Sequence, residues 1–189
     1  MTSISFAITT ATPDDDVEVE ALLDQCFGPG RRTKTTYRLR EGERPIPELC
    51  HVARDPSGRL IGANSFWALR IGEAGTPALL LGPLAVAPDL QGMGVGRALM
   101  HRGIAKARDL GHRLVILVGD QPYYGRVGFR QVPPGRLLLP GPVDPARLLH
   151  LELEPGALEQ AQGLVLGPRR FNGLRDTTWR PAVPAAGRG

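Results

Sequence analysis

Residues 3–9 alternate apolar and polar positions, which predicts a β-strand. Pro13 and three aspartates follow, the signature of a helix start with acids in its first turn. Val17, Ala21, Leu22 and Phe27 carry that helix at helical spacing until Gly28-Pro29-Gly30, where it cannot continue. Residues 31–47 are polar without a clean period and read as a short helix with loops. Residues 51–54 form a short strand, Asp55-Pro56-Ser57-Gly58 a turn, and residues 59–71 the hairpin partner. After a turn at 72–77, residues 78–86 make a strongly apolar strand interrupted by Gly82-Pro83.

Residues 96–110 then read as an amphipathic helix. Val95, Leu99, Gly103, Ala107 and Leu110 form one stripe, and Arg97, Arg102, Lys106, Arg108 and Asp109 are polar. Gly111 stops it. Residues 114–118 are wholly apolar, as in a strand buried on both faces. Strand, helix and strand in this order predict a parallel pair joined by a right-handed crossover. Pro122 suits the first turn of a short helix over 122–126, and 129–132 reads as another strand. Residues 133–167 hold apolar stretches split by Pro and Gly and predict further strands. The pattern contains no internal repeat.

Composition adds limits more than detail. A chain of 189 residues is a little over one typical domain. The expected organisation is one domain over 1–180 and a disordered tail over 181–189, rich in Pro, Ala and Gly. No run of 18 apolar residues exists, so no membrane partner is expected. Residues 1–16 lack the basic and apolar regions of a secretory signal, and Cys26 and Cys50 form no framework. Both facts suit a cytoplasmic protein with reduced thiols. The four histidines make no metal-ligand spacing, so no metal is expected. Of 23 basic residues, only Lys34 and Lys106 are lysine. They are scattered among acids, without the polybasic run or motif of a nucleic-acid reader. A net charge of +4 favours an anionic ligand.

The chemistry sits in residues 81–96, L-G-P-L-A-V-A-P-D-L-Q-G-M-G-V-G. A buried strand feeds a glycine-rich loop, and the loop feeds a helix. Such a loop presents successive backbone N–H groups, and the helix start adds its positive end, an arrangement that binds phosphate. Gly92, Gly94 and Gly96 lack Cβ atoms, so a pyrophosphate can approach closely. The Walker A pattern fails because no lysine follows the glycines. The dinucleotide fingerprint fits poorly: Arg97 stands where its third glycine belongs, and the candidate acid, Asp120, comes late. Upstream, Gly82-Pro83 admits two readings, an edge-strand kink or a point where this strand parts from strand 114–118. Parting would leave backbone groups of Leu84, Ala85 and Val86 unpaired, and a ligand with amides of its own could satisfy them.

The loop Gln91-Gly92-Met93-Gly94-Val95-Gly96 resembles the [RQ]-x-x-G-x-[GA] signature of the GCN5-related N-acetyltransferases (GNAT). Y-Y-G-R-V-G-F over 123–129 also looks like that family. The likeness is strongest over 81–132 and extends in element order over about 3–132; residues 133–180 depart from it. The resemblance implies an α+β fold: a mixed, strongly twisted sheet flanked by helices. It implies acetyl-CoA as acyl donor and a primary amine as acceptor, joined by direct attack in a ternary complex. Backbone amides of Gln91, Gly92, Met93, Gly94, Val95, Gly96 and Arg97 would hold the pyrophosphate. Leu84, Ala85 and Val86 would pair with pantetheine, and Leu84 N–H would meet the acetyl oxygen. Tyr124, four residues before Gly128, would be the acid for the departing thiolate, with Tyr123 beside it. Family members are often homodimers.

One departure is that residues 78–82 carry no carboxylate to deprotonate the amine. Glu41, Glu43, Glu48, His51, His150 and Asp120 remain open as bases, and Asp120 also reads as a helix cap. The acceptor itself is not legible. Two rival readings follow: a non-catalytic acyl-CoA-binding or regulatory domain, and a nicotinamide dinucleotide-binding protein.

Overall fold

A computed structural model describes residues 4–176. Nine strands form one mixed sheet. They are β1 (Ala7–Thr10), β2 (His51–Arg54), β3 (Leu60–Ile71), β4 (Thr76–Val86), β5 (Leu114–Val118), β6 (Arg130–Gln131), β7 (Leu137–Leu138), β8 (Leu148–Glu152) and β9 (Gly163–Leu166). The helices are α1 (Asp16–Phe27), α2 (Thr35–Arg40), α3 (Val95–Asp109), α4 (Gln121–Tyr124) and α5 (Pro168–Asp176). The main strand order is β1-β2-β3-β4-β5-β8-β6; β9 pairs with β3 and β7 with β9. The α+β expectation holds.

Most predicted elements are present, and the differences have local causes. Ile4, Phe6 and Ile8 all pack on the core as the alternation requires. Only Ala7–Thr10 pairs, because β2 offers four partners. Leu110, expected on the buried stripe of α3, lies past the helix end and is 44% exposed; Met100 is buried instead. Strand β6 spans two residues rather than four. Residues 133–167 do form strands. Strand β8 inserts antiparallel between β5 and β6, and β9 takes the edge of β3 beyond β2. The expected tail, 181–189, lies outside the described residues.

Side chains of β4 divide the two faces by strand alternation. Leu79 and Leu81 join Met100 and Ile104 of α3 on one face. Ala78 and Leu80 join Leu39 of α2, together with Leu137, Leu158 and Val165 from the C-terminal part, on the other. That part thus closes the α2 face. Thr35 donates to Pro142 O (2.7 Å), and Arg169 N–H donates to Glu43 Oε1 (2.6 Å). Among the described residues no helix is long and apolar enough to cross a membrane.

Candidate active site

Strand β4 lies between β3 and β5, so its Gly82-Pro83 break is not an edge feature. The Gly82–Pro83 peptide is cis, and the register against β3 shifts between Asn64 and Phe66. The bulge is pinned by polar groups. Trp67 Nε1 donates to Gly82 O (2.8 Å) and to Ser65 Oγ (3.1 Å), and Ser65 Oγ donates to Gly82 O (3.2 Å). Nothing in the local sequence pattern marks Ser65 and Trp67 as the braces of this kink.

Beyond the kink β4 and β5 part. Their parallel pairing covers only Leu79–Val115 and Leu80–Ile116. Ala87 N–H donates to Ile61 O (2.9 Å). In an antiparallel pair, backbone groups point alternately toward and away from the partner. Ala85 therefore faces β3, whereas Leu84 and Val86 turn their N–H and C=O groups to the side that β5 has left. Of these groups, Val86 O accepts from Cys26 Sγ (3.3 Å), and the others face the gap.

The gap leads to the glycine loop. Gly92 and Gly94 have φ +81° and +90°, and a Cβ on either would meet open space. The φ values, not crowding, demand glycine there. Gly94 caps α3 without a side chain, and the first helical bond runs from Ala98 N–H to Gly94 O (2.9 Å). The amides of Val95, Gly96 and Arg97 precede that bond, so the helix itself offers them no acceptor. Met93 is 41% exposed beside them. The sequence places Gln91 to Arg97 together, and the loop keeps them together at one helix start.

Both tyrosines follow β5. A Cβ at Gly96 would collide with Tyr123 Oη, so that hydroxyl stands over the first turn of α3. A Cβ at Gly119 would collide with the Tyr124 ring, which also stands edge-on to Tyr123 and Phe129. Tyr124 shares its apolar cluster with Leu84 and Leu117, so the candidate acid packs beside the open strand. Its hydroxyl makes no hydrogen bond to another described residue. Burial, helped by Tyr123 and Asp120, pushes Tyr124 up to about 12, and Arg147 opposes this. The phenol is therefore protonated at neutral pH.

On the other side of the kink lies a cavity of about 990 Å³, bordered by Pro83, Ser65, Trp67, Tyr37, Arg40 and Glu41 among others. Of the open candidates for a base, Glu41 and His51 line it; Glu41 is exposed and His51 is buried. Glu43 is held by Arg169 N–H, and Asp120 caps α4 by position while pairing with Arg147 (3.2 Å). His51 Nδ1 lies 3.3 Å from Asn64 Oδ1, and Asn64 Nδ2 donates to Leu99 O of α3. Glu48 shares a smaller cavity with His51, Arg102 and Lys106. His150 pairs in register with Ile116, and its Nδ1 is buried without a partner among the described residues. Burial lowers both imidazoles from the ordinary value. Cys26 and Cys50 are free thiols raised by burial. No cluster of three His, Cys, Asp or Glu side chains could hold a metal among the described residues.

The Acetyltransferase (GNAT) family model matches residues 17–129. The chain belongs to the GNAT family. An uncharacterized N-acetyltransferase of Escherichia coli, YjhQ, is 33% identical over 68% of this chain and 72% of its own length. A second, YhbS, is 28% identical over 87% of this chain and 98% of its own length. The solved structure of YhbS in complex with CoA has a TM-score of 0.76 at 26% identity, covering 91% of this chain and 94% of that one. A Brucella melitensis family member in complex with acetyl-CoA has a TM-score of 0.66 at 27% identity, covering 88% and 98%. The chain is thus a GNAT-type acyltransferase in fold and sequence.

Proposed function

We propose that the protein transfers the acetyl group of acetyl-CoA to a primary amine by direct attack in a ternary complex. The observation that carries this is the parting of β4 from β5 after Leu80, which opens Leu84 and Val86 beside the glycine loop. The two related structures in complex with CoA and acetyl-CoA support placing the donor there. The pyrophosphate lies on the amides of Gln91 to Arg97 other than Met93, whose N–H donates to Leu90 O (3.3 Å). The pantetheine amides pair with Leu84 and Val86, with Ala85 holding the strand to β3.

In the reaction the amine nitrogen attacks the thioester carbonyl carbon. The new C–N bond forms, and the oxygen takes up negative charge against Leu84 N–H. The C–S bond then breaks. The thiolate leaves against the hydrogen bond that Tyr124 Oη donates, and the proton lost from nitrogen reaches the sulfur through water, so that free thiol is released and Tyr124 keeps its proton. Tyr124 at about 12 is a weaker acid than a thiol of about 8.5, so it acts mainly as a hydrogen-bond donor to the departing sulfur.

The lack of a carboxylate on residues 78–82 favours one second reading, an acyl-CoA-binding domain without transfer. Thiol release from acetyl-CoA over a panel of amines separates the two. Amine-dependent release supports transfer; tight CoA binding with no release across the panel supports the second reading.

A further inference from the structure

Arg40 lines the acceptor cavity, and no described residue gives it a counter-ion. Arg40 projects from α2 between two aromatic rings, with its guanidinium carbon 4.0 Å from the Tyr37 centroid and 5.5 Å from that of Trp67. Its Nε donates to Thr36 O (3.0 Å) and its Nη2 to Thr36 Oγ1 (3.2 Å). It forms no ion pair with any described residue. Of the other arginines of the cavity, Arg31 is held by Glu20 and Asp24 and Arg32 by Glu20, while Arg38 is exposed and donates to Pro140 O (3.2 Å). Burial pulls Arg40 down to about 10, so it is still a cation at neutral pH.

The sandwich is itself braced. Tyr37 Oη accepts from Arg31 Nη1 (2.6 Å), and Trp67 Nε1 donates to Gly82 O at the kink. The guanidinium is thus fixed with donors to spare, one indole away from the strand break at which the acetyl group is to be presented. A half-buried cation with unused donors and no counter-ion favours an anion from outside.

We propose that Arg40, stacked between Tyr37 and Trp67, is the acceptor-recognition residue of this cavity and binds the carboxylate of a small amino acid or amino carboxylate whose amine is acetylated. This inference rests on the acetyltransferase reading above and adds the class of its acceptor.

The test compares each amine with its own carboxamide: glycine with glycinamide, β-alanine with β-alaninamide, and the common L-amino acids with their amides. Concentrations are corrected for the neutral-amine fraction. The expected result is a KM about 10- to 100-fold lower for the carboxylate, as for a charge-assisted hydrogen bond. Arg40→Gln should shrink that preference below about threefold, Arg40→Lys should keep part of it, and both should bind CoA like the parent. Quenching of Trp67 by the N-acetyl amino acids and their amides, in the presence of CoA, gives a readout independent of turnover. A parent enzyme that treats acid and amide alike in both assays overturns the inference, as does a preference that survives Arg40→Gln. If CoA binds and only amines without a carboxylate are acetylated, the acceptor class alone is wrong. If CoA does not bind, the acetyltransferase reading falls with it.

Discussion

Gly94 offers the sharpest test of the phosphate site, because two costs can be separated there. Its φ of +90° disfavours any side chain, while a Cβ would touch nothing within 4 Å. Gly94→Ala therefore costs only the left-handed backbone penalty, about 1–2 kcal/mol, spread over folding and loop order. Gly94→Asp has the same backbone cost and adds an anion where the pyrophosphate should lie. Two unit charges about 5 Å apart repel by roughly 1 kcal/mol at the dielectric of water and about 3 kcal/mol at the value typical near a protein surface. The Asp variant should thus bind CoA roughly 5- to 150-fold more weakly than the Ala variant. Calorimetry with CoA measures this directly. The gap should narrow as salt is raised, since the charges are exposed. It should vanish for pantetheine, which has no pyrophosphate. Equal CoA affinity of the Ala and Asp variants would refute the phosphate assignment.

Other consequences are equally specific. Tyr124→Phe should lower turnover by about 10²- to 10⁴-fold while CoA affinity and melting temperature stay close to the parent, since the hydroxyl makes no internal bond; steady-state kinetics with calorimetry decide it, and unchanged turnover removes Tyr124 from the reaction. The pH profile of kcat at saturating acceptor, where weaker binding by Arg40 near pH 10 does not count, should show no descending limb from pH 8 to 10, because Tyr124 keeps its proton to about 12; a limb near 9 that disappears in Tyr124→Phe would contradict this. Trp67→Phe should cost about 1 kcal/mol by removing one donor from Gly82 O, roughly 2–4 °C in Tm, and should weaken acetyl-CoA turnover through the loosened kink. His51, His112 and His150 are all lowered by burial, so the unfolded chain takes up protons first below about pH 6.5. Stability then rises with pH through that window and is lost on acidification. Melting curves from pH 7 to 5.5 should fall; a rise would show that these imidazoles are not buried as described.

Local periodicity made most of the fold legible. The alternation over 3–9, the α3 stripe and the apolar run at 114–118 all report burial directly, and each matches an element. Leu110 misled because periodicity does not know where a helix ends: the last helical residue is Asp109, and Leu110 is already the cap before Gly111 turns the chain away. The glycine loop could be placed before α3 from its glycines, and Tyr124 was singled out by its likeness to the family's motif. Ser65, Trp67, Tyr37 and Arg40 were not. They meet only after residues 31–47 fold back over β3 and β4, and no local pattern encodes that contact. The order of β8 between β5 and β6 was hidden for the same reason, since strand pairing at long range leaves little trace in either strand's own pattern.

The central claim is that the cleft between β4, β5 and the glycine loop holds an acyl-CoA. Its most direct test is thermal unfolding with saturating acetyl-CoA, CoA and NAD in parallel. A ligand at about 100 times its Kd adds roughly 2.7 kcal/mol, about 5–10 °C in Tm for a chain of this size. Both CoA species should give such a shift and NAD none. No shift with either CoA species, or a shift with NAD alone, would contradict it.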